Sequence, residues 1–302
     1  MIPTERLKGL TAFVYAARHG SFASAAEQLN LTSSAVGKSV ARLEQRLDTR
    51  LFERTTRRLR LTDAGQAFYE TCTRVLNDLA EAQAVLASHA HTPMGRLRID
   101  LPASFGRMIV MPVLIEFCRR HANLRPHITF TDRFVDLADE GVDVAVRIGG
   151  IGDLPPTVGH RYLGTERLVF CAAPSYLAKR GVPLSADQLG EYDCVVYGKG
   201  DGAGARWSLP ADGERAEPLA VAHHMMLGDS EAQVAALEAG AGIAQMATWL
   251  VNDSLNRGTL VRILPEVSVD GLPLHIIWPK NKQLTPKIDL LLQTFAEQLR
   301  IR

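Results

Sequence analysis

SFASAAEQLNLTSSAVGKSVARLEQRLDTRLFERTTRRLRLTDAG, residues 21–65, decides the architecture of the N-terminal part of this chain. Gly20 followed by Ser21 is a stop and then a fresh helix cap, while Ser24 and Glu27 stand at capping-box spacing, so either serine fits as the cap of a short alanine-rich helix ending at Leu29. Asn30 and Leu31 read as a tight turn. Thr32 is the next cap, and Ala35, Val36, Val40 and Leu43 form the buried stripe of a helix running to about Leu47. Upstream, Leu7, Leu10, Phe13, Val14 and Ala17 recur at helical spacing. Two short helices joined by a tight turn make a helix-turn-helix, whose second helix offers its N-terminal residues to the DNA major groove. On that helix Ser33, Ser34, Gly37, Lys38 and Arg42 lie off the buried stripe. Leu59 and Leu61 then alternate with Arg58 and Arg60 as in a half-buried strand, a basic β-wing that would lay Arg54, Arg57 and Arg60 along phosphates or into the minor groove.

Charge is distributed in the same sense. The 302 residues carry a net charge of +1, yet residues 1–65 hold eleven Lys/Arg against six Asp/Glu, a net of +5, which leaves −4 on the remainder. A basic head on a mildly acidic body suits a polyanion at one end and a different task at the other; a solvated basic face is the alternative that charge alone leaves open.

From 62 to about 90 there is no proline, and no glycine after Gly65, so one long helix is expected. Phe68, Cys72, Val75, Leu79, Ala82 and Leu86 follow one another at alternating spacings of four and three, the pattern of a coiled-coil seam, with a helix packed on its own chain's core as the alternative. Thr92-Pro93-Met94-Gly95 breaks that helix. Beyond it, a strand over 96–101, a helix carrying Ile109, Val113, Leu114 and Phe117, a strand over 127–131, a short helix over 133–140 and a strand over 142–148 read as β-α-β-α-β with a parallel sheet. A second lobe begins near Gly164, with strands over 167–172 and 193–197 and helices over 174–180 and 230–239. The strand 274–278 and the amphipathic stretch 286–299 return to complete the first lobe. The expected architecture is therefore α+β and α/β, multidomain. A winged helix-turn-helix occupies 1–62, a linker helix for dimerisation 63–91, and a two-lobed α/β domain 92–302, with lobe I at 92–163 and 268–302 and lobe II at 164–267.

The run from Phe13 to Thr62 closely resembles the N-terminal domain of LysR-type transcriptional regulators. It carries the "SFxxAAExLxxT" helix pair, the "LExxL" end of the recognition helix and the "LFxRTxRxxxLTxAG" wing at uninterrupted spacing. Where the family usually has Gln, Ser and Arg, this chain has Ser33, Gly37 and Lys38. The segments "LRIDLPASFGR", "TDRFVDLADEGVDVAVRIG", "CAAPSYLAKRG" and "AALEAGAGIAQMATWLV" look like effector-domain segments of the same family, so the resemblance covers nearly the whole chain. It implies DNA contacts from Ser33, Ser34, Lys38, Arg42, Arg54, Arg57 and Arg60. It also implies pairing of the linker helix with its copy through Phe68, Val75, Leu79 and Leu86, and a homodimer or a homotetramer built as a dimer of dimers. The resemblance implies double-stranded promoter DNA as the target and leaves room for RNA polymerase as a further partner. Its C-terminal domain would resemble periplasmic binding proteins and hold a small effector, often a carboxylate or an aromatic acid.

Ser104, Thr131 and Arg147 stand at strand or helix ends where an open α/β sheet binds ligands. By position they match the family's effector pocket, as does the loop Leu227-Gly228-Asp229; Phe105 completes the set. Each has a plainer reading. Arg147 pairs with Asp132 or Asp136, Ser104 caps its helix, Phe105 plugs the core, and Asp229 is an N-cap.

Other classes find less support. The chain has no H-E-x-x-H, no G-x-S-x-G, no Walker loop and no G-x-G-x-x-G opening a helix, so neither a metal nor a cofactor is expected and an enzyme is the weakest reading. Gly200-Asp201-Gly202-Ala203-Gly204 reads as a loop. The stronger rival is a solute-binding receptor without a transcriptional role, against which stand the basic head and the lack of a signal-peptide core among the first thirty residues. No eighteen apolar residues run together, so no membrane partner is expected and the cytoplasm is the expected location. Cys72, Cys118, Cys171 and Cys194 form no C-x-x-C pair and read as structural thiols, with a redox pair of Cys171 and Cys194 as a minor variant.

Overall fold

A computed structural model describes residues 4–54, 59–87, 93–133, 136–150, 152, 154–198, 206–210, 217–283 and 285–299. The chain divides into two compact units, Met1–His91 and Thr92–Arg302.

The first unit comprises α1 (Thr4–His19), α2 (Phe22–Leu29), α3 (Ser33–Leu47), the antiparallel pair β1 (Phe52–Arg54) and β2 (Leu59–Leu61), and α4 (Asp63–Ala87). Ser21, not Ser24, caps α2: its Oγ accepts from the N–H groups of Ala23 (3.2 Å) and Ser24 (3.5 Å). Asn30 ends the helix in the left-handed region (φ 53°), and the Leu31 N–H returns to the Ala26 carbonyl at 2.9 Å, which makes the turn tight. Thr32 Oγ1 caps α3 through the Ala35 N–H at 3.2 Å. Val36, Val40 and Leu43 are buried as expected, but Ala35 is exposed, and the fourth buried residue is Glu44. Phe13 is fully buried at the centre of this unit, with the rings of Phe52 and Phe68 at 5.4 and 5.5 Å.

Glu44 explains how the wing is fastened. Its Oε1 accepts from the backbone N–H groups of Leu51 (2.8 Å) and Phe52 (3.1 Å), so the end of α3 sets where β1 begins. Thr62 Oγ1 donates to the Arg50 carbonyl and accepts from the Gly65 N–H, at 2.8 and 2.9 Å. At Gly65 a Cβ would stand 2.0 Å from the Leu51 carbonyl oxygen, so only glycine lets the first turn of α4 lie against the wing.

The second unit begins with β3 (Gly95–Leu101), then α5 (Ala103–Phe105), a π-helical turn (Gly106–Val110) and α6 (Met111–Arg120), followed by β4 (Leu124–Phe130), β5 (Val144–Ile148) and the long β6 (Val158–Ala172). Then come α7 (Pro174–Arg180), β7 (Val195–Tyr197), the hairpin β8 (Arg206–Leu209) and β9 (Glu217–Ala220), and β10 (Met225–Leu227). The chain continues with α8 (Ser230–Glu238), β11 (Ile243–Ala247), α9 (Thr248–Arg257), β12 (Val261–Ile263), β13 (Val269–Pro279) and α10 (Pro286–Gln298). One seven-stranded sheet has the order β11-β6-β13-β5-β3-β4, with β12 also on β6. β3 is parallel to both β4 and β5, as read from the sequence.

One expectation needs correction. Residues 133–140 do not form a helix where they are described: Asp136 Oδ1 takes the N–H groups of Ala138 (2.8 Å) and Asp139 (3.0 Å), which closes a local turn, and Gly141 follows with φ 67°. Two continuous strands join the lobes, since β6 runs through Gly164 and pairs with β13 from Val269↔Leu168 to Pro279↔Val158. The β8–β9 hairpin and α9 had no counterpart in the sequence reading. The loop 200–204 lies outside the described residues. α10 does return to the first lobe, where Ile288, Leu291, Leu292 and Phe295 join Leu97, Ile99, Leu101, Leu114 and Phe117 in one core. Lobe II has its own core, built on Phe170, Cys171, Val195, Leu237, Ile243 and Val251.

Candidate functional site

Two surfaces carry the candidate residues, one in each unit. In the first, Ser33, Ser34, Lys38 and Arg42 are all exposed on α3. Arg60, on β2 opposite Glu53, is exposed too. Arg54 ends β1 with its side chain outside the described residues, and Arg57 lies outside them altogether. The apolar seam of α4 divides. Phe68 and Cys72 pack into the core around Phe13, as a helix resting on its own chain would, whereas Val75 and Leu79 are 44% and 40% exposed. The side chain of Leu86 is outside the described residues.

In the second unit a cavity of about 510 Å³ opens between the lobes. Ser104, Phe105, Thr131 and Arg147 all line it. Gly228 and Asp229 do not; both are exposed, and Asp229 caps α8 by accepting the Ala232 N–H at 2.7 Å. The adjacent Ser230, with Gln233 and Tyr197, lines the cavity in their place. Ser104 is no cap, since the residue before α5 is Pro102 and the Ala103 N–H is taken by Asp132 Oδ1 at 3.0 Å. Phe105 is both core and wall: it is buried, and it meets Trp249 of lobe II edge to face at 5.1 Å.

Arg147 pairs with neither Asp132 nor Asp136. Its Nη2 bonds Asp100 Oδ1 at 2.5 Å, its Nη1 donates to the Val146 carbonyl at 2.7 Å, and both side chains are almost wholly buried. Thr129 Oγ1 holds the other oxygen of Asp100 at 2.5 Å, while Arg147 Nε is buried without a hydrogen-bond partner. The one basic lining residue among the described residues is thus neutralised from behind by a carboxylate on β3.

Sequence reasoning missed the acidic wall. Glu166, on β6 where it crosses between the lobes, is buried and lines the cavity. Its Oε1 accepts the Trp249 indole N–H at 2.7 Å, and its Oε2 the Leu272 N–H at 3.3 Å. A register shift in β13 between Asp270 and Pro273 frees that N–H from the ladder, and Gly271 makes room, since a Cβ there would stand 2.8 Å from Leu168. Burial pushes the Glu166 carboxyl above its ordinary range, against the two hydrogen bonds that lower it. Tyr197 is likewise pushed up, first by burial and then by the carboxylates of Asp132 and Asp229, so its phenol stays a donor. Leu168, Met246, Leu250 and Leu272 supply apolar wall. At the edge of the cleft, Arg107 from the π-helical turn meets Glu231 of α8 at 2.5 Å.

The remaining groups offer little chemistry. Among the described residues no set of three or more His, Cys, Asp or Glu could hold a metal, and no helix is long and apolar enough to cross a membrane. Burial pushes Cys171 up to about 12 and Cys194 up to about 11, which leaves neither with thiolate character at neutral pH and speaks against a redox pair.

Comparison with known proteins supplies the wider setting. Residues 7–66 match the family model described as "Bacterial regulatory helix-turn-helix protein, lysR family", and residues 90–300 match "LysR substrate binding domain". The HTH-type transcriptional regulator DmlR of Escherichia coli is 34% identical over 263 residues, covering 86% of this chain and 84% of that protein. The HTH-type transcriptional regulator CrgA of Neisseria meningitidis serogroup C is 30% identical over 292 residues, 96% of each chain. A solved structure of CrgA from Neisseria meningitidis, a LysR-type transcriptional regulator, matches with a TM-score of 0.62 at 29% identity, over 96% of this chain and 98% of that one.

Proposed function

The chain belongs to the LysR family of bacterial transcriptional regulators, a family of DNA-binding proteins and not of enzymes, and from that premise we propose how its two units divide the work. α3 reads base edges with Ser33, Ser34, Lys38 and Arg42, while Arg54, Arg57 and Arg60 hold phosphates on either side. Val75, Leu79 and Leu86 on α4, continuing the line of Phe68, pair with a second copy. The resulting dimer, or dimer of dimers, meets a two-fold-related site on promoter DNA in the cytoplasm, where RNA polymerase is a further partner. In the second unit the cavity between the lobes takes a small effector, an aromatic acid or another small carboxylate. Lobe closure around it changes how the assembly sits on DNA and how far it bends the duplex.

The observation that carries this reading is a cavity lined from both lobes, with aromatic walls at Phe105 and Trp249 and neutral donors at Ser104, Thr131 and Tyr197. With Arg147 already paired, an acid would be held by hydroxyls and not by a free guanidinium. The test is a gel-shift titration of the full chain on DNA upstream of its own coding region, with and without a panel of aromatic acids. An acid that changes affinity or complex mobility is the expected result. DNA binding indifferent to every acid that binds the protein would overturn the coupling.

A further inference from the structure

Glu166 is a buried carboxylate in the cavity that the effector reading above does not use. It stands on a crossing strand, at 6% exposure, in a cavity whose wall mixes aromatic and aliphatic side chains with hydroxyls, amides, Asp132 and the paired Arg147. Among the described residues no Lys, Arg or His makes an ion pair with it, and the basic residue nearest in function, Arg147, is held by Asp100. A buried charge without a partner is costly, and side chains of this kind are ordinarily paired or neutralised. Holding Trp249 does not require the charge, because a glutamine would offer the same acceptor to the indole N–H. A carboxylate also has about four lone-pair sites, and the bonds from Trp249 and Leu272 occupy two. Capacity for a donor therefore remains, and among the described residues no cation pairs with it.

We propose that Glu166 receives an ammonium group of the effector, so that the molecule sensed is a zwitterion with an apolar, aromatic side group, of the chemical class of an aromatic amino acid, and not an acid alone. The proposal rests on the reading of this cavity as the effector site. In the bound state the acid end meets the hydroxyls of Ser104 and Thr131, the ring lies among Phe105, Met246 and Trp249, and the ammonium meets Glu166. Trp249 sits on α9 of lobe II and Glu166 on the strand shared by both lobes, so an ammonium bound there adds its charge to a contact that already ties the lobes together.

Three probes that share the phenyl ring decide it: L-phenylalanine, 3-phenylpropionate, which lacks the ammonium, and 2-phenylethylamine, which lacks the carboxylate. Each is titrated by calorimetry into the full chain and into Glu166→Gln, with thermal melting to check that the variant is folded. The proposal expects phenylalanine to bind wild type roughly ten- to hundred-fold more tightly than 3-phenylpropionate, as for a charge-assisted hydrogen bond, and Glu166→Gln to abolish that preference. Should the variant not fold, the wild-type ranking decides. If 3-phenylpropionate binds wild type as tightly as phenylalanine, or if the variant keeps the preference, Glu166 is not an ammonium site while the cavity remains one for acids. If none of the three binds, this proposal and the reading of the cavity as a site for aromatic acids fall together.

Discussion

Arg147 and Glu166 are a buried cation and a buried anion lining the same cavity, and their surroundings give them opposite consequences. Arg147 completes an ion pair with Asp100, so Arg147→Ala leaves a carboxylate uncompensated in lobe I and is expected to cost about 3–5 kcal/mol, read as a shift of the denaturant midpoint. Replacing both partners, as Asp100→Asn with Arg147→Met, should cost less than that single change; an equal or larger loss would show that the pair itself supplies the stability. Among the described residues no cation pairs with Glu166, and its carboxyl is raised, chiefly by burial. A raised carboxyl binds its proton more tightly in the folded state than in the unfolded, so stability is lost as pH rises from the ordinary carboxylate range through the folded value. Glu166→Gln removes that penalty. In the absence of effector its melting temperature should gain on wild type as pH is raised from about 4 to 8, and a gap that stays constant across that range would contradict the account.

At the level of elements, the wing depends on a helix residue. Glu44→Ala leaves the N–H groups of Leu51 and Phe52 without their acceptor and should destabilise the first unit by about 1–3 kcal/mol, more than Glu44→Gln, which keeps an acceptor. Urea melts of the two variants check it. This contact also marks what a sequence can and cannot show. Ser21, Asn30 and Thr32 were legible because caps and turns act over two to five residues, and the periodicity of α3 gave Val36, Val40 and Leu43. Glu44 sits among charged residues at a helix end, and its partners lie seven and eight residues on, beyond any local pattern. The turn after Thr131 failed as a helix because the Asp136 side chain competed for backbone N–H groups. In α4 the four-and-three spacing was real, but spacing does not say which turns meet the chain's own core. Phe68 and Cys72 do, and Val75 and Leu79 do not. Substituting Glu for Val75 and Leu79 together should therefore shift the protein toward monomer in sedimentation while leaving the first unit folded. An unchanged oligomer would move the interface off this helix.

At the level of the whole molecule, the division into a basic head and a two-lobed body was legible in charge distribution, periodicity and motif spacing. The chemistry of the cleft was legible only in part. The parallel β3-β4-β5 arrangement placed Ser104, Thr131 and Arg147 at strand ends, and they do line one cavity. The partners that set its electrostatics are separated by 47 residues for Asp100 and Arg147 and by 83 for Glu166 and Trp249, distances over which one sequence carries no pairing signal. The loop at Gly228 and Asp229 was one residue short of the lining position at Ser230. The central claim, that this is a regulator acting on DNA as a symmetric assembly, is tested most directly by footprinting the purified chain on the DNA upstream of its own coding region at several salt concentrations. The account predicts a long protected region with two-fold symmetry and an affinity that falls steeply with salt, as phosphate contacts from both wings require. No protection on that fragment or on any other genomic fragment at low salt would contradict it.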